Sequence, residues 1–343
     1  MFYTIPFLLI LGVMINYFVI RNYNSLKLSI LLDKEYSKPQ SFHKNPVLCF
    51  GGSSIYILFL IIFIFFDIKF LKQFFLLATV SFFIGLLEDF KIKFKPIFRL
   101  ILLIISFFFT IKFFDININN LNIDFLNIIF KEYNYLKIVF ITLCFVFIIN
   151  GSNFIDGFNG LLTIHALIIL SIINLINYYY LNHDLLIFGL MSFSIIFSFA
   201  IFNFPKASLF LGDGGSYLIG TLISYLIIQT SNYNPNIPSF FFSCLLYYLF
   251  FEVFFSFFRK IIYEKKNPLI PDKYHLHMLF YSKIIKRKKL YTPNPMTGFS
   301  LNFIYILTLM PVFYFYKNIF FLNYYFFILI IIYSFSYFKL RKI

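Results

Sequence analysis

NGSNFIDGFNGLL, residues Asn150–Leu162, separates two apolar runs (136–152 and 160–180) that are each about long enough to cross a bilayer. A polar group in lipid must be satisfied or must serve a function. Here Asn153, Asp156 and Asn159 recur every third residue, with Gly157 and Gly160 clearing space beside them. Read as helix, the three polar side chains fall roughly along one side. The stretch predicts a polar site at the end of a membrane helix, not a linker.

The surrounding composition sets the fold class. The 343-residue chain is 61% hydrophobic and 13% charged, against roughly 25% charged in soluble domains. Its mean hydropathy is +0.85. One soluble core could not hide that much apolar surface. Span-length apolar runs lie near 1–20, 47–66, 70–88, 97–114, 136–152, 160–180, 185–203, 208–229, 239–258, 299–316 and 319–339. The expected architecture is all-α and polytopic, with eleven transmembrane helices in a single unit, 1–343. The long Phe, Ile and Leu runs lack the apolar/polar alternation of barrel strands. The first run reads as a span rather than a signal peptide, because its first basic residue, Arg21, follows the apolar core. The longest segment outside the spans, 259–298, is too short for a separate catalytic domain.

With eleven spans, one side of the membrane collects 23 of the 29 Lys and Arg, including Lys91, Lys93, Lys95, Arg99 and ten between Arg259 and Lys289. The positive-inside rule makes that side cytoplasmic. The net charge of +15 is then mostly a topology signal that also suits anionic ligands and lipid headgroups. No compact basic domain stands apart, so a nucleic-acid partner is not expected. Cys49, Cys144 and Cys244 fall at or inside spans without paired spacing and read as small core hydrophobes.

The unusual residues sort to the basic side. His43 with Gly51-Gly52, Glu88-Asp89, the Asn153–Asn159 cluster, Asp213 with its glycines, and His275/His277 all map there, whereas the outer carboxylates show no such clustering. One site assembled from several loops accounts for this. Glu88-Asp89 reads either as a solvated helix end or as a pair able to hold a divalent ion or accept a phosphate proton. The lysines that follow are explained by topology alone, or by counter-charge for an anionic lipid. In LFLGDGGS (209–216), Asp213 is either a helix cap or a Mg²⁺ ligand, and the glycines allow close backbone approach to a ligand. A helix N-terminus there would favour phosphate. His275 and His277, at i and i+2, do not share a helix face, so a zinc pair is disfavoured and contact with a nucleotide or pyrophosphate preferred. His165 and His183 read as structural.

Taken together, these residues resemble the polyprenyl-phosphate N-acetylhexosamine-1-phosphate transferases of glycosyltransferase family 4, which include the phospho-MurNAc-pentapeptide translocase. The resemblance runs from Lys38 to Met278 in the family's motif order. KPQSFHKNPVLCFGG (38–52) is similar to its first cytoplasmic segment and GLLEDF (85–90) stands at its acidic pair. NFIDGFNGLL (153–162) and FLGDGGS (210–216) match its two most specific signatures. PDKYHLHMLFY (271–281) resembles the histidine loop of the branch that uses UDP-GlcNAc.

The resemblance implies that a polyprenyl (undecaprenyl) phosphate oxygen attacks the β-phosphate of a UDP-N-acetylaminosugar and releases UMP. Mg²⁺, with Mn²⁺ as an alternative, is the implied cofactor. Asp213 would ligate the metal. Glu88, Asp89 and Asp156 would be catalytic, the first two orienting the acceptor phosphate and taking its proton. Asn153 and Asn159, with Asp156 and Gly157, would hold the uridine and sugar-phosphate end, and Lys91, His275 and His277 would contact substrate. The implied place is the inner membrane with the site facing the cytoplasm, in cell-wall or O-antigen glycan synthesis. A second copy of the chain is an open option. Glu88 replaces a common Asp and keeps its charge, whereas Asn159 stands, uncharged, where Asp is common; both keep oxygen ligands. The rival from another class is a transporter or flippase for an anionic lipid-linked solute, which should carry its polar groups at mid-membrane.

Overall fold

The computed structural model describes residues 3–33, 46–92, 95–270, 272–285 and 292–342. His43, Lys93 and most of the 38–52 stretch lie outside the described residues. Eleven long helices occupy the eleven predicted places: α1 (Thr4–Asn22), α2 (Gly51–Phe65), α3 (Leu71–Asp89), α4 (Pro96–Phe114), α6 (Asn134–Ile155), α7 (Leu161–Tyr179), α8 (His183–Asn203), α9 (Gly212–Tyr233), α10 (Ser239–Phe258), α12 (Pro293–Tyr314) and α13 (Ile319–Lys342). Among the described residues, the short α5 (Asp124–Glu132) and α11 (Leu276–Phe280) complete the set. Helices satisfy their own backbone groups, which lipid cannot do, so the long apolar runs take this form.

Among the described residues, nine helices are long and apolar enough to span a membrane, two fewer than expected. The two exceptions have physical reasons. Helix α2 has 15 residues and covers only about 22 Å. Helix α9 is the axis of the bundle: every residue from Gly214 to Thr230 is buried. Because it meets protein on all sides, it carries Gly, Ser, Thr and Gln where a lipid-facing helix would carry Phe and Ile. Thr221 Oγ1, for example, donates to Ser81 Oγ of α3 at 2.8 Å, and Tyr225 OH to the Phe70 carbonyl at 3.0 Å. Helices α1, α4 and α13 are peripheral and leave large apolar side chains such as Phe18, Phe113 and Ile331 exposed.

Three strands of two or three residues are the exception to the all-α expectation. β1 (Leu32–Asp33) pairs antiparallel with β2 (Val47–Cys49), which pairs parallel with β3 (Leu209–Phe210). Residues 47–49 therefore precede α2 instead of opening the span expected from 47. This small sheet ties the segment before α2 to the segment before α9. Helix α12 begins at Pro293, not near 299, with Pro at its first position. The connection from α10 is correspondingly shorter than 259–298.

Helix α3 lies very close to α9. A Cβ at Gly85 would stand 2.5 Å from the Asp213 carbonyl oxygen, and backbone on both sides cannot yield. Gly85→Ala is expected to cost about 1–3 kcal/mol of stability through this overpacking and to shift Asp213. Thermal unfolding in detergent measures the cost, and an unchanged melting temperature would contradict the close approach.

Candidate active site at one end of the bundle

Two acidic residues of the site sit where their own helix disfavours them, and this explains their partners. Glu88 and Asp89 occupy the last turn of α3, at the negative end of the helix dipole. The helix stops there in a Schellman arrangement: Ile92 N–H donates to the Leu87 carbonyl at 3.0 Å and Lys91 N–H to the Glu88 carbonyl at 2.7 Å. Lys91 takes the left-handed position at φ 60°, usually given to glycine. Arg99 has the opposite mismatch, a cation in the first turn of α4. It forms an ion pair with Glu88 and lies 3.6 Å from Asp213 Oδ2.

Asp89 joins α3 to α9. Its two oxygens accept from the Asp213 N–H (2.7 Å) and the Gly214 N–H (3.0 Å), satisfying donors that the first turn of α9 leaves open. A Cβ at Gly212 would meet this carboxylate at 2.7 Å, and Gly212 adopts φ +77°. The expectation of a phosphate at this helix start is thereby corrected, since a carboxylate already takes those amides. The glycines also serve approach between helices: Gly52 and Gly215 meet across α2 and α9.

The 150–162 stretch is a corner, not one helical face. Helix α6 ends at Ile155, Asp156 caps it, and the chain turns through Gly160 at φ +75° into α7. Asn153 Nδ2 donates to Asp213 Oδ1 at 2.8 Å and to Ser216 Oγ at 3.1 Å. Asn159 Nδ2 donates to the Pro205 carbonyl at 3.1 Å, a bond an Asp could not make. Its backbone N–H donates to Asn294 Oδ1 of α12 at 2.7 Å. Asn203 closes the corner: its Oδ1 accepts from Gly160 N–H at 2.8 Å, while its Nδ2 donates to the Leu209 carbonyl at 3.1 Å.

These elements enclose a cavity of about 210 Å³. Glu88, Asp89, Lys91, Asn153, Asp156, Gly157, Asn159 and Asp213 all line it. So do Asp33 of β1 and Cys49 of β2, which the sequence reading passed over as a site residue and as a core hydrophobe. Burial, then the charges of Asp89, Asp33, Asp213 and Asp156, push the Cys49 thiol well above its usual range, so it is a poor nucleophile. Burial, then Asp213 and Asp89, push the Asp156 carboxyl well above the carboxylate range.

Among the described residues, no three His, Cys, Asp or Glu form a ready-made metal cage. The donor set nevertheless suits Mg²⁺, which takes one or two carboxylates and leaves its other positions to water and phosphate. Asp213 Oδ2 faces a cation at 3.6 Å, and Glu88 stands beside the same guanidinium.

The two histidines do not line the cavity. Both are buried and held by one residue that sequence reasoning missed, Glu252 of α10. Nδ1 of His275 lies 3.0 Å from Glu252 Oε2, and Nδ1 of His277 3.3 Å from Oε1. The two rings point the same way because α11 begins between them, with His275 still extended. The signal was present in the sequence: a lone carboxylate in the apolar run 239–258 is a site by default. Arg259 secures the loop, donating to Glu264 Oε1 and Asp272 Oδ2 at 2.7 Å each. Lys260 Nζ donates to the Ile270 carbonyl at 2.7 Å. Arg99, Arg259 and Lys260 thus have structural partners beyond a topology signal. His165 is buried in the α7–α12 contact, with Nδ1 3.3 Å from Asn302 Oδ1. The other end of α9 carries a second polar cavity that includes Lys69, Asp115, Asn117 and Asn232, with Asp115 its one carboxylate among the described residues.

Fold and cavity define a polytopic, all-α membrane protein with a carboxylate-lined site at one end of its bundle. Residues 71–231, from α3 through most of α9, match the model of glycosyl transferase family 4. An undecaprenyl-phosphate alpha-N-acetylglucosaminyl 1-phosphate transferase of Thermotoga maritima is 34% identical over 165 residues, 48% of this chain and 49% of the relative. A phospho-N-acetylmuramoyl-pentapeptide-transferase of Caldicellulosiruptor bescii is 27% identical over 162 residues, 45% of this chain and 51% of the relative. One from Leuconostoc mesenteroides is 38% identical over 71 residues, 21% and 22%. The chain spans about half the length of the first two and less of the third.

Asp156 supplies a pH test. Its folded-state pKa is raised, so the folded protein binds this proton more tightly than the unfolded chain. Its ionisation costs stability as pH rises from the ordinary carboxylate value through the raised one. Asp156→Asn removes that cost. In metal-free buffer the variant should melt above the wild type at pH 7.5, and the gap should close as pH falls toward about 4. A gap that widens on acidification would reverse the sign and refute the assignment.

Proposed function

We propose that the protein is a sugar-1-phosphate transferase that joins a UDP-N-acetylaminosugar, with GlcNAc as the first choice, to polyprenyl phosphate. The observation that carries this reading is the convergence of Glu88, Asp89, Asp156 and Asp213 on one cavity with Lys91 and Arg99. Two anions must meet there, and a transporter would need its polar path at mid-membrane rather than at one end.

In the proposed reaction an oxygen of polyprenyl phosphate attacks the β-phosphorus of the UDP-sugar. The new bond is the P–O–P link of polyprenyl-diphospho-sugar, the α–β phosphoanhydride breaks, and UMP leaves. Asp156, whose burial raises its proton affinity, takes the proton carried by the acceptor phosphate. Asp89 holds the first turn of α9, and with it Asp213, in place. Glu88 and Arg99 orient the acceptor phosphate, and Asn153, Asn159 and Gly157 border the donor. Asp213, with Glu88, would hold Mg²⁺, which when bound neutralises phosphate charge. The cavity end of the bundle is assigned to the cytoplasm by the positive-inside rule, and the product would start a lipid-linked cell-envelope glycan.

Purified protein given radiolabelled UDP-GlcNAc, undecaprenyl phosphate and Mg²⁺ should yield labelled lipid and UMP. Chelation should stop it, and Asp213→Ala should lower kcat by about 10²-fold or more. Absence of labelled lipid with every UDP-N-acetylaminosugar tried, or undiminished turnover in the alanine variant, would defeat the proposal.

A further inference from the structure

The mechanism above leaves one buried cluster unused. Glu252 is fully buried, and its two oxygens face the Nδ1 atoms of two different histidines, at 3.0 and 3.3 Å. An ionised carboxylate only accepts hydrogen bonds, so each ring must carry its proton on Nδ1. That fixes both the tautomer and the ring orientation, as a carboxylate does for a histidine that ligates a metal. The two rings stack at 5.5 Å, almost parallel, and Phe154 and Phe158 cross their edges.

Nε2 of His277 is the one ring nitrogen here left buried without a hydrogen-bond partner. It faces Gly157, where a Cβ would stand 3.9 Å away and meet nothing else. Gly157 lines the cavity beside Asp156. A buried polar atom without a partner costs free energy that a ligand can return. Burial lowers the proton affinity of His277, so at neutral pH Nε2 carries a lone pair.

We infer that Glu252 is a positioning residue: it holds His277 so that Nε2 is offered past Gly157 as a hydrogen-bond acceptor for an N–H or O–H group of the nucleotide-sugar. This assignment rests on the transferase reading for its substrate, but not for its tautomers. Asp213 and Asp156 serve the phosphates, and the histidine pair serves the donor's neutral polar groups.

Glu252→Gln tests it with almost no change in volume. A carboxamide has one acceptor and one donor end, so one of the two rings must move its proton to Nε2. The Michaelis constant for UDP-GlcNAc should rise at least tenfold, while that for undecaprenyl phosphate stays within twofold. Gly157→Ala, which fills the space without a clash, should raise the donor constant in the same way and guards against a folding defect in the first variant. ¹⁵N-histidine NMR of the detergent-solubilised protein at pH 7.5 should show Nδ1–H on both rings, and a switched ring in Glu252→Gln. Wild-type donor constants in both variants, or Nε2–H rings in the wild type, would overturn the inference. A wild type that makes no lipid product with any donor would overturn the transferase reading instead, and the NMR spectrum, which needs no substrate, still decides what Glu252 does.

Discussion

The carboxylate of Asp89 accepting from the first free N–H groups of α9 is the contact on which the rest of the site depends. It joins the negative end of one helix to the positive end of another, so each cancels a cost the other would carry alone. Because those two amides belong to Asp213 and Gly214, the same contact sets where the Asp213 carboxylate points. Asn153 and Arg99 then reach Asp213 from α6 and α4. Four helices are registered by two acidic side chains, Asp89 and Asp213.

Close approach makes this contact achievable. Helix α9 is encircled, and glycines on its neighbours take the place of side chains where backbones nearly touch. The cost is a central helix too polar to read as an ordinary span. The gain is an interior scaffold whose end is rigid while its neighbours face lipid. A carboxylate cluster of this density would repel itself in a loose loop. Here Arg99 and the α9 amides balance part of the charge, and Asp156 responds by holding its proton more tightly.

The histidine loop is a second layer built on the same logic. Arg259 and Lys260 bind the loop's carboxylates and carbonyls, and Glu252 fixes the imidazoles. Buried ion pairs are poor sources of stability, but removing one member leaves an uncompensated charge. Such a network locks a loop in one arrangement, which suits a group that must meet a substrate.

Local sequence alone determined the helices and the end of the bundle to which the polar residues go, because hydropathy and span length are properties of short windows. NFIDGFNGLL and FLGDGGS were legible as site segments for the same reason: polar and glycine residues stand out against Phe and Ile. Partners were not legible. Nothing in GLLEDF says that Asp89 turns to α9 while Glu88 turns to Arg99, and nothing in PDKYHLHM says that both rings converge on Glu252. Nor does the sequence say that Asn159 spends its amide on Pro205, or that Asp33 and Cys49 reach the cavity through a three-strand sheet. Those choices join residues up to 161 positions apart, and only tertiary packing brings such atoms within hydrogen-bonding distance.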